Sequence, residues 1–181
     1  MLNHRFRLTL AALVAGFLTV SFLAFGGGAT AQGAADIFAG FQARSDAPVE
    51  VDAQSLEIFE DGDQRVSVFS GGVEVRRGNT LIKAAKITLY SDLENTSPEG
   101  FTRIVAGGNV FVRSGEQTVT GNTAVVDMTT STITVSGDVV LAQGTNVISG
   151  SRLVVNLATG RARVEQNQGG RIRGVFSPGS Q

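Results

Sequence analysis

The chain has no cysteine, no tryptophan, one tyrosine and a single histidine, His4. Without cysteine there is no disulfide framework, no thiolate nucleophile and no thiolate metal site. His4 lies in an N-terminal segment read below as removable, which leaves no imidazole for a catalytic triad or for most zinc sites. Catalysis would have to rest on carboxylates, hydroxyls, arginines, Lys83, Lys86 and Tyr90. Paired acids suffice for glycoside hydrolysis. However, Asp52, Glu57, Glu74, Asp127 and Asp138 occupy repeat positions or turns where other copies carry Lys, Thr, Phe, Asn or Val, as solvated faces do. The pairs Gly71-Gly72 and Gly107-Gly108 open no helix and lack a Gly-Lys-Ser/Thr ending, so they read as turns instead of a phosphate loop. The chain therefore reads as a non-enzyme with no cofactor and no metal.

Only one long apolar run is present. His4, Arg5 and Arg7 precede residues 8–25, apolar apart from Thr9, Gly16, Thr19 and Ser21, and the run closes with three glycines and Ala29-Thr30-Ala31. This is the grammar of an export signal cleaved after Ala31. The alternative is an uncleaved anchor, because 18 residues just reach spanning length. Alanine at both cleavage positions and the glycines ahead of them favour cleavage. Removal of residues 1–31 leaves 150 residues, enough for one domain with a sizeable core. Arg5 and Arg7 leave and no acid does, so 13 basic and 16 acidic side chains remain, a net charge of about −3 that argues against a nucleic-acid partner.

The rest of the chain is organised by a repeat. Gly137-Asp138-Val139-Val140-Leu141, a turn at Gly144, then Ile148-Ser149-Gly150 and Leu153-Val154-Val155 match, without a gap and 29 residues earlier, Gly108-Asn109-Val110-Phe111-Val112, Gly115, Val119-Thr120-Gly121 and Ala124-Val125-Val126. A third copy, 37 residues further back at its first glycine, reads Gly71-Gly72-Val73-Glu74-Val75, Gly78, Ile82-Lys83-Ala84 and Ile87-Thr88-Leu89. A partial fourth opens the region with Val51, Asp52, Ala53, Leu56 and Ile58. Such self-similarity signals a repeated supersecondary unit. Val73/Val75, Val110/Val112 and Val139/Leu141 each project onto one strand face. A small residue (Ala53, Ala84, Gly121 or Gly150) then precedes the next apolar pair by three positions. That step would flip the second pair to the other face unless the chain turns a corner or bulges there.

Residues 32–48 read as a flexible leader, and strands begin near Val49. Glu60 to Gln64 is a solvated hairpin turn, too short for a complete calcium loop. Residues 91–100 are a loop that changes the repeat spacing from 37 to 29, and the sequon Asn95-Thr96-Ser97 within it is taken as chance. From Phe101 short strands follow one another (101–106, 109–113, 117–120, 123–128, 132–136, 139–142, 147–149, 152–156 and 161–165), and residues 166–181 form a weakly ordered tail with one weak strand near Ile172, Val175 and Phe176. Many short β-branched strands between turn residues mark an all-β sandwich, barrel or solenoid.

A Gly-x-Val-x-Val/Leu strand, a glycine turn and an apolar-x-small-x-x-apolar-x-apolar corner, repeated behind an export signal, resembles the OstA-like domain of lipopolysaccharide transport proteins over roughly residues 48–165. The resemblance implies a twisted antiparallel β-jellyroll, open at both ends, that shields lipid A acyl chains inside. It also implies a periplasmic location and head-to-tail stacking between an LptC-like jellyroll of an inner-membrane complex and an LptD-like jellyroll of an outer-membrane translocon. The lipid-facing candidates are Val73, Val75, Ile82, Ile87 and Leu89 of the third copy, with Ile104. They continue with Val110, Val112, Val119 and Val126, then Ile133, and finally Val139, Leu141, Ile148, Leu153 and Val155. The same residues would be plain core in any sandwich, so the residues alone leave core and lipid contact open. An LptC-like anchored relay and a secreted structural β-repeat without lipid remain the competing readings.

Charge is unevenly spread. Glu50, Asp52, Glu57, Glu60, Asp61 and Asp63 stand early against Arg65, while Arg152, Arg161, Arg163, Arg171 and Arg173 stand late against Glu165. Unlike edges of an open sheet can pair head to tail, and a variant assigns the late arginines to lipid phosphates.

Overall fold

The structure, a computed structural model, describes residues 48–94, 100–167 and 169–177. The export signal, the leader up to residue 47, the sequon and the last four residues lie outside them. Among the described residues there are ten strands and no helix: β1 (Val49–Asp52), β2 (Ser55–Asp61), β3 (Gln64–Arg77), β4 (Thr80–Asp92), β5 (Phe101–Ser114), β6 (Gln117–Asp127), β7 (Thr132–Gln143), β8 (Asn146–Asn156), β9 (Arg161–Glu165) and β10 (Arg173–Val175). They form one antiparallel sheet that does not close, with β3 to β8 paired in sequence order. β1 and β2 both lie on the free side of β3, and β9 and β10 both on the free side of β8.

Each long strand is a pair of the predicted short ones. Residues 101–106 and 109–113 belong to the single strand β5, and 132–136 and 139–142 to β7. The glycine pairs between them do not reverse the chain. Gly71 and Gly72 (φ 89° and 82°), Gly108 and Asn109 (78° and 49°), and Gly137 and Asp138 (83° and 48°) are left-handed residues within β3, β5 and β7. At each the register slips, two residues standing where the neighbouring strand has one. Positive φ is open to glycine and tolerated by Asn and Asp, so each pair can make a two-residue bulge. Five of the true reversals use the single glycines Gly62, Gly78, Gly115, Gly144 and Gly160, and the β6–β7 turn uses Ser131 at φ 51° instead.

The bulges fall in one line across the sheet and crease it into two leaves. The first leaf holds β2, the halves 64–70, 86–92, 101–107, 123–127, 132–136 and 152–156 of the long strands, and β9. The second holds β1, the halves 73–77, 80–84, 110–114, 117–121, 139–143 and 146–150, and β10. Residues opposite each other on a ladder share a face, so register assigns every side chain to a side. The buried apolar residues of both leaves, apart from Val66 and Leu81 on the outer face, join one cluster, which runs from Val73 and Val75 to Leu153 and Val155. A single sheet can bury residues of both halves in one cluster only by folding its inner faces together. The corner predicted after the small residue therefore exists: Ala84 and Ile87, three apart, both enter this core.

The outer face is held by ordinary surface pairing. On β3 and β4, Glu74 contacts the Arg76 guanidinium and receives the Lys83 ammonium at 2.9 Å, while Arg76 reaches Asp52 of β1 at 3.6 Å. Lys83, and beside it Arg76, hold the Glu74 carboxyl below the usual carboxylate range. At the β6–β7 turn Asp127 Oδ1 accepts the Thr130 backbone N–H at 2.9 Å, which lowers its carboxyl. Asn156 accepts the Thr159 N–H in the same way at the β8–β9 turn, one repeat later.

Candidate functional site: the inner face of the folded sheet

The inner face is built in rows parallel to the crease. Nearest the crease in the second leaf stand Val73, Ala84, Val110, Gly121, Val139 and Gly150, so that valine and a small residue alternate from strand to strand. The small residues let the leaves meet. A Cβ on Gly121 would lie 2.6 Å from Val135 Cγ1, and one on Gly150 would lie 2.5 Å from Val164 Cγ1, both partners being in the opposite leaf. The next row is Val75, Ile82, Val112, Val119, Leu141 and Ile148. The rim row turns polar, with Arg77, Thr80, Ser114, Gln117, Gln143 and Asn146. There Thr80 Oγ1 donates to Ser114 Oγ at 3.4 Å.

In the first leaf the row at the crease is Leu56, Phe69, Ile87, Ala106, Ala124, Val135, Leu153 and Val164. Beyond it come Ile58, Ser67, Leu89, Ile104, Val126, Ile133, Val155 and Ala162. All sixteen candidates from the sequence thus stand on one side of the sheet. Val73, Val75, Ile87, Val110, Val112, Val119, Ile133, Val139, Leu153 and Val155 are buried. Ile82, Leu89, Ile104, Val126, Leu141 and Ile148 are half-buried. The sequence reading missed Phe69, Ala106, Val135 and Val164. Val135 is two residues from Ile133 and follows from strand alternation; Phe69 precedes the first glycine pair, where the repeat match had not begun.

The face is not uniform from end to end. Across β6, β7 and β8 the leaves are shut, with Val119, Ile133, Val135, Leu153 and Val155 at 0 % exposure. At the β1–β2 end Val49, Val51, Leu56 and Ile58, all inner by register, are 39 to 59 % exposed. At the other end the short strand β10 pairs with the second-leaf half of β8, and Phe176 beyond it is 68 % exposed. Gly174 pairs with Ile148, and the Phe176 ring occupies the space of the missing Gly174 side chain, 2.7 Å from where a Cβ would stand. The inner face is therefore a packed seam in the middle that opens at the N-terminal edge.

Chemically this surface offers dispersion contact and water exclusion and little else. Among the described residues no group of His, Cys, Asp or Glu could hold a metal ion, and no helix is long and apolar enough to cross a membrane. Acidic and basic side chains stand on the outer face or at the rims. The two ends are less polarised than the sequence suggested, because Asp52 meets Arg76, Glu60 lies 4.0 Å from Arg65, and Arg152 lies 4.0 Å from Glu165.

Three comparisons bear on this architecture. Residues 50–161 match the family model of the LptA/(LptD N-terminal domain) LPS transport protein. An uncharacterized protein, R00383, of Rhizobium meliloti (strain 1021) is 33 % identical over 132 residues, covering 71 % of this chain and 68 % of its own length. The fold is similar to the crystal structure of LptH, the LptA homologous periplasmic component of the lipopolysaccharide transport device from Pseudomonas aeruginosa. That similarity has a TM-score of 0.58 at 20 % identity, over 73 % of this chain and 96 % of LptH.

Proposed function

The chain belongs to the LptA/LptD N-terminal-domain family of lipopolysaccharide transport proteins, and from that membership we propose that it is the periplasmic carrier that holds lipid A acyl chains between its leaves and bridges the inner- and outer-membrane machinery. The observation that carries this reading is the inner apolar face, continuous from β2 to β9 in one leaf and from β1 to β8 in the other, with no closing strand at either edge. In this reading residues 1–31 direct export and are removed, residues 32–48 are a leader, residues 49–165 form the carrier domain, and residues 166–181 end it.

The shut middle has a consequence for mechanism. An acyl chain passing along the seam separates the leaves locally and replaces leaf-to-leaf contacts by leaf-to-lipid contacts of the same apolar kind. Each shielded methylene is worth about 0.8 kcal/mol, so roughly ten would hold cargo by about 8 kcal/mol before the lost seam contacts are subtracted. That subtraction keeps retention weak enough for onward transfer. The polar rim row beside the opening leaves the sugar and phosphate part in water. LptC-like and LptD-like jellyrolls would extend the sheet at its two free edges, as would further copies of this chain.

Photoreactive residues at Leu141 and, separately, at Val140 provide the test. Leu141 is inner and Val140 outer on the same strand. In living cells the reading expects a lipopolysaccharide adduct at Leu141 and none at Val140. Equal labelling, or none at either, removes it. N-terminal sequencing of the exported protein separates the carrier from an anchored relay, which would retain residues 8–25.

A further inference from the structure

The outer face of the first leaf carries a feature that neither the fold nor the lipid reading requires. One ladder row crosses it as Val68, Thr88, Val105, Val125, Thr134 and Val154, on six adjacent strands from β3 to β8. All six lie on the side away from the seam, are half-buried and carry no charge. A sheet face turned to water ordinarily presents polar side chains, and the second leaf does so, with Glu74, Arg76, Lys83 and Arg113 on its outer side. An uncharged, β-branched stripe on an open sheet gains stability when it is covered.

We propose that this stripe docks a second copy of the chain, first leaf against first leaf, about a twofold axis that runs along the strands between β5 and β6. Such an axis reverses strand order, so β5 faces the partner's β6, β4 its β7 and β3 its β8. The row then matches itself: Val105 meets the partner's Val125, Thr88 the partner's Thr134, and Val68 the partner's Val154. In the row farther from the crease Arg103 and Asp127 are ladder neighbours, and the same axis sets Arg103 against the partner's Asp127. In the row nearer the crease Lys86 falls against the partner's Ser136 and Arg152 against the partner's Ser70, so no like charges meet. At the ends of the stripe Glu57 falls against the partner's Arg163. A twofold axis along the stripe would instead set each of those charges on its own counterpart. Six strands about 4.8 Å apart, with about five residues along each, cover about 500 Å² per copy, the lower end of specific interfaces, so the dimer is weak. The seam and both free edges stay open, so the dimer does not depend on what the cargo is. One consequence does rest on the carrier reading: the paired seams run in opposite directions, and a line of jellyrolls of one polarity takes up only one copy of the pair.

The test uses the full chain as exported, with V105D and V125K made separately. Both positions are half-buried on the outer face of central strands, away from the seam and from either free edge. Sedimentation equilibrium of the parent chain is expected to show monomer and dimer in exchange. Each variant alone is expected to weaken the dimer at least about tenfold, because it buries two unpaired charges against valine beside the axis. An equimolar mixture of the two is expected to regain dimer. One of its two axial contacts pairs the V105D carboxylate with the V125K ammonium, and the other keeps Val105 on the partner's Val125. Recovery on mixing is a result that no misfolded variant can give. A parent chain that stays monomeric at about 1 mM, association that neither variant weakens, or a mixture that recovers nothing each overturns the proposal. Association untouched by V105D yet lost with R163E would belong to the free edges, and a monomer whose lipopolysaccharide binding falls with V105D would give the stripe to lipid. Both results overturn the dimer as well. Loss of lipopolysaccharide labelling at Leu141 would leave these outcomes unchanged, so the two proposals fail separately.

Discussion

Gly150 and Val164 meet across the crease: the β-carbon that Gly150 lacks would fall 2.5 Å from Val164 Cγ1 and 2.8 Å from the Glu165 carbonyl oxygen. One of these neighbours is backbone, so the space cannot be regained by a rotamer change. Gly150→Ala is expected to push the leaves apart at that point and to cost about 1–3 kcal/mol. In a domain of this size that lowers Tm by about 2–4 °C per kcal/mol. The pair Gly150→Ala with Val164→Ala should recover part of the loss. Thermal melts of the two variants decide it, and an unchanged Tm for the single variant would mean that the leaves are not in contact there.

The bulges make a second prediction. Gly137 and Asp138 both have positive φ, and a Cβ on Gly137 would also run into Asn122. Gly137→Ala and Asp138→Val are each expected to lose about 1–2 kcal/mol, whereas Asp138→Gly keeps or improves stability. Urea midpoints at constant m value are the measurement. Equal losses for Val and Gly at position 138 would contradict a left-handed residue there.

Core and mouth should respond differently to truncation. Leu153 is fully buried and Ile58 is 59 % exposed. Leu153→Ala is expected to cost about 2–5 kcal/mol, and Ile58→Ala to stay within about 0.5 kcal/mol. If the carrier reading holds, Ile58→Asp nevertheless reduces retention of lipopolysaccharide in a pull-down while the melt stays unchanged.

Acid should weaken the fold in a defined window. The Glu74 and Asp127 carboxyls are both depressed in the folded protein, by Lys83 with Arg76 and by the Thr130 N–H respectively. Their contributions are present above the ordinary carboxylate values of about 4 and are lost as pH falls through the lower folded values. Stability is therefore expected to decline between about pH 5 and pH 3. Glu74→Gln is expected to flatten that decline slightly without a large effect at pH 7. Urea titrations at several pH values, with and without the substitution, check the sign.

Association through the free edges is expected to depend on salt. Glu57 stands on the outer side of β2, and Arg161 and Arg163 on the outer side of β9. Head-to-tail pairing of β9 with β2 would bring these charges together in water, where 0.1 M salt already screens beyond about 10 Å. Sedimentation should therefore report weaker association in high salt and for Arg163→Glu, with recovery when Glu57→Arg is added. A strict monomer at low salt and high concentration would end the idea.

Much of this architecture can be read from the residues. The alternation of Val110 with Val112 and of Val139 with Leu141, and the three-residue step from Ala84 to Ile87, give the strands, their inner face and the existence of a corner. The meaning of the glycine pairs cannot be read locally. Gly-Gly, Gly-Asn and Gly-Asp announce positive φ, and so do the single glycines at the hairpins. Whether the chain reverses or only kinks depends on whether the neighbouring strand continues alongside, which is a tertiary fact. For the same reason the sequence split β5 and β7 in two. It also gave no sign that the seam is shut at Ile133 and Leu153 yet open at Leu56 and Ile58, because end and middle positions of a repeat carry the same side-chain types.

The register between neighbouring copies carries an implication for size. The gapless 29-residue unit adds two strands that cross both leaves, one of them through a bulge, and touches only the units on either side of it. Duplicating such a unit would lengthen the seam by two strand spacings, about 9.5 Å, and leave both termini as they are. Span can therefore be adjusted in fixed increments by duplication or deletion within the chain, without redesign of either end.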